Sequence, residues 1–474
     1  MSPRTIQNFP ASLDYDPDSL RSDVAKELGV KPEELGPIRV LKQSLDARSK
    51  RRGVHFVLNL EIFKKGEAPA PLWSPPAFKK PFPIPEDERP IIVGAGPAGL
   101  FAALRLLEYG IAPILIERGK PVHERSRQAA DFRQRGIFNA DSNYCYGEGG
   151  AGTFSDGKLY TRKKHPLVRT VLEWLVAYGA NEFETLVNAR PHIGTNQLIP
   201  ITIAMREALL NAGVDIRFDT RMETVELNTE GQSNSVRSIN LASGETLHAK
   251  HLILATGHSA RDLYQHLYAL GLPMEAKSMA IGFRVEHPQT MVNLQQLGAH
   301  ADNPRIGAAA YQLAHNCSGR GIYTFCMCPG GYIIPTPATA GRLNVNGMSH
   351  SGRNSPFANS AVVVTVGPGD YSQNRGESPS PIEGLFFQDT LEMRCFEAGG
   401  GDYRAPAQKI PDFLKGQCGS LPEETSYRPG IIPFDLSTLI PPNLVAPMRE
   451  ALKRFGKNLK GFDSDSSLAV GLET

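Results

Sequence analysis

Residues 91–100 read Ile-Ile-Val-Gly-Ala-Gly-Pro-Ala-Gly-Leu, and the fold turns on this decapeptide. Ile91, Ile92 and Val93 are a short apolar run of the kind that forms a strand buried on both faces. Gly94, Gly96 and Gly99 follow at G-x-G-x-x-G spacing, after which Leu100, Ala103, Leu104 and Leu107 recur at helical period up to Tyr109. Each glycine has its own task. Gly94 makes the tight turn, Gly96 lets the backbone approach a pyrophosphate, and Gly99 lets helix pack on strand. Pro97 and Ala98 occupy the first helical turn, whose unpaired N–H groups and positive dipole end face the phosphates. A second apolar strand at 114–117 completes strand, helix, strand within about 30 residues, the unit of a parallel sheet.

Glu117 ends that second strand, 23 residues after Gly94. A carboxylate there accepts hydrogen bonds from a ribose 2′-OH and repels a 2′-phosphate, so the adenosine half belongs to FAD or NAD rather than NADP. Arg118, the next residue, joins the candidate cofactor-binding set. A second match to the glycine pattern, Gly147-Glu148-Gly149-Gly150-Ala151-Gly152, has no apolar strand before it and no helix after it, so it does not read as a second dinucleotide site. Gly149, Gly150 and Gly152, beside Thr153, Ser155 and Lys158, suit a backbone that wraps an anionic ligand; the bland alternative is a flexible surface loop.

The 474 residues are too many for one core and imply two or three domains. Residues 1–65 read as a small α+β unit, with an extended start, a helix at 17–28 and strands at 38–45 and 54–63. Asp16 and Asp18 open the helix and Gly29 stops it. Residues 66–89 are a proline-rich linker. Residues 90–273 form the dinucleotide-binding domain, with helices at 167–178 and 201–212 and strand runs at 214–227 and 238–254 around a hairpin. Leu252, Ile253, Leu254 and Ala255, apolar on both faces, are expected as a central strand. Residues 274–455 read as a second, largely antiparallel domain, and 456–474 as a return toward the first. No internal repeat is visible.

Composition sets the outer bounds. Hydrophobic residues at 41% and charged residues at 21% are ordinary for a globular chain. A formal charge of +2 gives no field that draws nucleic acid or an anionic membrane, and Arg48, Lys50, Arg51 and Arg52 read as a solvated loop. Six cysteines without C-x-x-C or zinc spacing fit reduced thiols. The N-terminus has no apolar core of a signal peptide and no window approaches a membrane span, so a soluble cytoplasmic protein is expected. His165, His192, His287 and His350 lack metal spacing, and no metal site is expected.

The chain resembles the uncharacterised bacterial FAD-dependent dehydrogenases, a branch of the two-dinucleotide-binding-domain flavoproteins of the glutathione-reductase-like FAD/NAD(P)-binding superfamily. The stretches that carry the resemblance are KQSLDAR (42–48), IVGAGPAGL (92–100), YGEGGAGTFSDGK (146–158), PHIGT (191–195), ATGHSARD (255–262), FCMCPGG (325–331), NGMS (346–349) and APAQ (405–408). The resemblance implies a three-layer Rossmann-like FAD-binding parallel sheet, an inserted antiparallel α+β domain and a ferredoxin-like N-terminal module. It also implies that Gly94, Gly96 and Gly99 cradle the pyrophosphate and Glu117 the ribose, with Arg125 near the cofactor and the Met222 backbone at adenine. The loop 149–158 would follow the ribityl chain, and Ala255, Thr256 and Gly257 would turn close to the flavin. The resembling chains continue past Glu473-Thr474 into a glycine-rich segment that closes the flavin site, so a chain ending at Thr474 is expected to have an incomplete flavin end.

FAD does the electron transfer itself, which leaves few obligatory side chains to find. No catalytic residue is assigned; His258, Arg261 and Cys328 are candidates, His258 because an imidazole exchanges protons near neutrality. Cys326 and Cys328 are expected to point apart, with no disulfide between them, and Cys328 reads first as a buried core thiol. The leading expectation is an FAD-dependent oxidoreductase acting on an unidentified small molecule, with NAD(P)H meeting the flavin transiently. The alternatives are a flavin-binding or RNA-associated module without turnover, and a shortened chain unable to hold FAD.

Overall fold

The computed structural model of the chain describes residues 4–48, 53–161, 163–228, 235–372 and 380–474. Lys50, Arg51 and Arg52 of the basic run lie outside the described residues. The N-terminal unit is β1 (Arg4–Ala11), a helix (Pro17–Leu28), β2 (Leu35–Asp46) and β3 (His55–Lys64). The sheet order is β1-β3-β2, both pairings antiparallel, so the helix carries the chain from one edge to the other. Local chemistry sets the helix ends. The Asp16 carboxylate accepts the N–H groups of Asp18 at 3.0 Å and Ser19 at 2.7 Å, and Gly29 closes the helix at φ 68°. Alternate residues of β3, Phe56, Leu58, Leu60 and Ile62, are buried against Leu20 and Val24.

The decapeptide forms what its sequence predicts. Strand β4 (Ile91–Val93) runs into the helix Pro97–Glu108 and then β5 (Ile114–Ile116), with β6 (Asp215–Arg217) beyond. The chain then makes a separate antiparallel sheet of β7 (Met222–Asn228), β8 (Ser235–Leu241) and β9 (Thr246–His248), and returns as β10 (Leu252–Leu254). The parallel sheet is ordered β10-β4-β5-β6. The runs read as single strands at 214–227 and 238–254 are therefore each divided between sheets; in the first, Asp219 takes φ 52° and breaks the strand. The expected central strand is an edge strand among the described residues, with Leu254 39% exposed. A three-residue apolar run does not report how many neighbours flank it. Leu100, Leu104 and Leu107 pack with Ile92, Trp174, Ile201, Met205 and Leu209, which seats the glycine helix on the sheet.

The remaining strands are β11 (Met279–Pro288), β12 (Ala314–Cys317), β13 (Arg320–Cys328), β14 (Tyr332–Pro335), β15 (Val345–Met348), β16 (Phe357–Val366), β17 (Ala405–Lys409), β18 (Ile431–Pro433) and β19 (Leu468–Glu473). Seven of them form one sheet, β12-β13-β16-β11-β19-β17-β18, and only β17 and β18 pair in parallel. Residues 456–474, expected as a return toward the first domain, end in β19, which lies between β11 and β17 of the seven-stranded sheet. Leu468, Ala469, Val470 and Leu472 are all buried, and a strand apolar on both faces belongs at the centre of a covered sheet. No helix among the described residues is long and apolar enough to cross a membrane.

Candidate functional site

A cleft of about 500 Å³ opens where the first glycine turn, the second glycine segment and the turn after β10 converge. Gly94, Gly96, Pro97, Ala98, Glu117, Arg118, Gly150, Gly152, Met222, Ala255, Thr256, Gly257 and His258 all line it. Thus residues separated by up to 164 positions, from Gly94 to His258, meet around one space.

Close backbone approach explains the glycines. A Cβ on Gly99 would lie 1.8 Å from the Gly94 carbonyl oxygen, and one on Gly94, which has φ 106°, would lie 2.5 Å from that of Ala255. Gly99 itself stands behind the cleft and joins helix to strand. The Gly149 N–H donates to the Ala95 carbonyl at 2.8 Å, laying the second glycine segment on the first. A Cβ on Gly96 would lie 3.6 Å from the Gly150 Cα and one on Gly150 3.0 Å from the Gly96 Cα, so the two glycine segments meet backbone to backbone at the cleft. No side chain caps the helix at Pro97, and the N–H groups of Ala98 and Gly99 have no partner among the described residues. Two free donors at a positive helix end, beside a glycine that lines the cleft, fit a pyrophosphate.

Glu117 is 5% exposed, and its carboxylate accepts N–H groups from Ala95 at 2.8 Å and from Gly119 and Gly147 at 2.9 Å each. Three of its roughly four acceptor directions are used by backbone. Its first task is thus to tie both glycine segments to the end of β5.

Arg125 is not at the cleft, and this expectation is corrected. Its guanidinium is wholly buried and donates to the carbonyls of Asn143 (2.8 Å), Tyr144 (2.9 Å), Glu148 (2.7 Å) and Gly150 (2.8 Å). Five donors in a rigid fork make arginine the residue that can collect so many carbonyls. Burial pulls its pKa down to about 10, which leaves it charged at neutral pH.

Gly149, Thr153, Ser155 and Lys158 also face away from the cleft. The Thr153 carbonyl accepts from Thr195 Oγ1 at 2.6 Å, and Ser155 Oγ donates to the Gly152 carbonyl at 2.7 Å. Lys158 Nζ lies 3.0 Å from Asp156 Oδ2. Arg261 turns from the cleft to the antiparallel domain, where it clamps Glu392 at 2.7 and 3.0 Å. Cys328 is wholly buried in β13. Of the three catalytic candidates, only His258 reaches the cleft. It is exposed at the cleft mouth, yet desolvation by the cleft walls and the nearby Arg261 cation hold the imidazole below the ordinary value.

Sequence reasoning missed Tyr146, Arg221, Ser259, Asp262 and Tyr264, which also line the cleft. Arg118 lies over the Tyr146 ring at 4.2 Å and pairs with Asp141 at 2.7 Å and Asp262 at 3.1 Å. An aromatic next to a glycine segment was the available signal. Its partners lie too far along the chain to form a motif.

A family model for an FAD binding domain matches residues 89–138, one described as "FAD-dependent protein, C-terminal domain-like" matches 278–474, and a domain of unknown function matches 4–63. An uncharacterized protein of Clostridium beijerinckii is 35% identical over 487 aligned positions, which span 99% of this chain and 89% of that protein. Among solved structures, FqzB is similar at 16% identity and TM-score 0.29, over 67% of this chain and 62% of its own. Thermovibrio ammonificans THI4 is similar at 16% identity and TM-score 0.27, over 40% and 65%. Structural likeness this low carries no argument about the site.

Proposed function

The chain belongs to the family of FAD-dependent proteins that includes the Clostridium beijerinckii relative, FAD is its cofactor, and from that premise we propose that it is an oxidoreductase holding FAD along the glycine-lined cleft. The observation that carries the site is the uncapped helix start, with the N–H groups of Ala98 and Gly99 free beside Gly96 at the cleft. Bound there, FAD supplies two-electron exchange with an organic substrate. The chain's own residues bind and orient. The helix end binds the pyrophosphate. Glu117 holds the two glycine segments in register and keeps one acceptor direction for the adenosine ribose. The Met222 backbone borders adenine, and Ala255, Thr256 and Gly257 form the opposite wall. His258 presents a neutral imidazole at the cleft, able to accept a proton. The substrate enters between this domain and the antiparallel one, and NAD(P)H serves, if at all, as a passing reductant.

The purified chain, reconstituted with FAD, should keep flavin absorbance through gel filtration, and Gly96→Val should lose it. Anaerobic titration with NADH, NADPH and a panel of organic reductants should then bleach the flavin with one of them. Equal retention by Gly96→Val would overturn the cleft as the FAD site. Retention without bleaching by any reductant would favour a binding module over an enzyme.

A further inference from the structure

At the end of β13, away from the cleft, the backbone does something a core strand has no reason to do. Phe325 pairs with Ala361 but Cys328 pairs with Asn359, so β13 carries one extra residue there, a β-bulge. Cys326, inside the bulge, has φ 43°. A non-glycine residue in the left-handed region costs of order 1 kcal/mol or more and persists where the surroundings impose it. The expectation that the two cysteines point apart is corrected: residues two apart along a strand share a face, and the Cys328 thiol donates to the Cys326 carbonyl oxygen at 3.3 Å, which brings the two side chains together. They are unoxidised; Cys326 keeps some exposure to solvent, and Cys328 is wholly buried.

The groups around the pair are charged. From β11, wholly buried Arg284 donates through Nη2 to Cys328 Sγ at 3.3 Å and to the Cys326 carbonyl at 2.6 Å, and pairs through Nη1 with Glu473 of β19 at 3.0 Å. From the segment after the second glycine run come Lys158 and Asp156, 3.0 Å apart. Lys158 Nζ is buried, with Asp156 as its partner. Asp156 also pairs with Arg353 at 2.6 Å. Arg284, Lys158 and Arg353 thus face only two carboxylates, Asp156 and Glu473, and burial lifts Glu473 to about pH 7. Lys158, whose Nζ is buried, shares Asp156 with the part-exposed Arg353, and a thiolate at Cys326 supplies it further counter-charge. The neighbouring Cys328 thiol, with the Arg284 and Lys158 cations, holds the Cys326 thiol well below its ordinary value despite its burial. Core cysteines need neither a strained backbone nor two cations.

We infer that Cys326 and Cys328 form a thiol–disulfide exchange centre for small organic disulfides, with Cys326 attacking and Cys328 resolving. This goes beyond the flavin reading and does not rest on it. The Cys326 thiolate attacks one sulfur of R–S–S–R, forming a mixed disulfide and releasing RS⁻. Cys328 gives its proton to that RS⁻ and attacks the Cys326 sulfur, expelling the second RS⁻ and leaving a Cys326–Cys328 disulfide. Two electrons pass from the protein dithiol to the small disulfide. The buried resolving thiol needs no access, since its target is the neighbouring sulfur.

The full chain, treated with oxidised glutathione and mapped by peptide mass spectrometry, should yield a 320–335 segment lighter by two hydrogen atoms and free of glutathione. Cys328→Ser should hold glutathione on Cys326, and Cys326→Ser should leave Cys328 unmodified. Iodoacetamide labelling of Cys326 should vary by no more than about twofold between pH 6 and 8, against roughly 70-fold for an unperturbed thiol. An unlinked Cys326 and Cys328 in the wild-type chain, or labelling that climbs with pH as an ordinary thiol does, overturns the inference. The wild-type map decides even if a serine variant fails to fold.

Discussion

His287 is wholly buried in β11, where Nε2–H donates to the Phe462 carbonyl at 2.9 Å and Nδ1 accepts from the Tyr311 hydroxyl at 3.3 Å. That hydroxyl is in turn 2.9 Å from Ser360 Oγ. With both nitrogens engaged in this way, the imidazole is neutral. Burial pushes its pKa from 6.5 to about 4, against a smaller opposite pull from the Phe462 carbonyl. Between those values the unfolded chain binds a proton that the folded chain refuses. The stability attached to His287 is therefore full above pH 6.5 and is lost as pH falls toward 4. Glu473 works in the opposite sense, since its raised folded pKa favours the fold as pH drops from about 7 toward its ordinary 4.5. A comparison between chains separates the two. The unfolding free energy of the wild type relative to His287→Gln should shrink by up to about 3 kcal/mol between pH 6.5 and 4 and stay flat above it. Urea titrations across that range check it, and a difference that is flat throughout would mean that His287 titrates in the fold as it does in the unfolded chain.

The helix Val122–Arg135 exists, as far as the site is concerned, to bring Arg125 under the second glycine segment. Residues 143–150 make few backbone bonds of their own, and five of their carbonyls end on this guanidinium. A Cβ on Gly147 would lie 2.4 Å from Arg125 Cδ, so the segment is moulded onto the side chain. Arg125→Met should cost about 3–5 kcal/mol, the penalty for removing one partner of a buried charged network, and should release FAD on gel filtration. Arg125→Lys, with three donors in place of five, should fall between; an unchanged melting temperature and flavin content in Arg125→Met would sink this role. The same residue shows the limit of what sequence reveals. Gly94, Gly96, Gly99 and Glu117 were legible because strand, turn, helix and carboxylate lie within a single stretch and each residue type has few uses there. Arg125 was expected at the cofactor because its partners are carbonyls 18 to 25 residues away, which every residue carries and no motif marks. The sheet that takes strand β19 was not legible for a related reason: its apolar run suits any buried sheet, and its partner β11 lies nearly 200 residues earlier. The Cys326–Cys328 pair was misread for a simpler reason: residues two apart on a strand share a face, and these two were placed on opposite ones.

At the scale of the molecule, the cleft and the antiparallel domain are joined through one buried network. Arg261 begins the helix Arg261–Ala269, just after the Ala255-Thr256-Gly257 wall, and reaches across to the helix Glu383–Ala398. There it meets both oxygens of Glu392, at 2.7 and 3.0 Å, and Asp389 at 3.2 Å. Asp389 is held from its other side by Arg342 at 2.8 Å, and Glu392, 1% exposed, accepts from the Thr474 hydroxyl at 2.8 Å. A sequence reading that placed Arg261 at the flavin assigned it to a reaction, whereas its geometry assigns it to a joint. The two roles predict different behaviour. Removing the cation alone strands a buried carboxylate, so Arg261→Met should destabilise the chain by about 3–5 kcal/mol. Removing both charges strands nothing, so Arg261→Met with Glu392→Met should recover more than half of that loss, because apolar replacements of a buried pair are often neutral. Urea unfolding followed separately by flavin absorbance and far-ultraviolet circular dichroism tests it. In the single variant the flavin signal should fall at lower urea than the circular dichroism, as the cleft wall parts from the sheet. In the double variant the two should again coincide. If Arg261→Met abolished flavin reduction while leaving both unfolding curves where they were, Arg261 would belong to the chemistry after all.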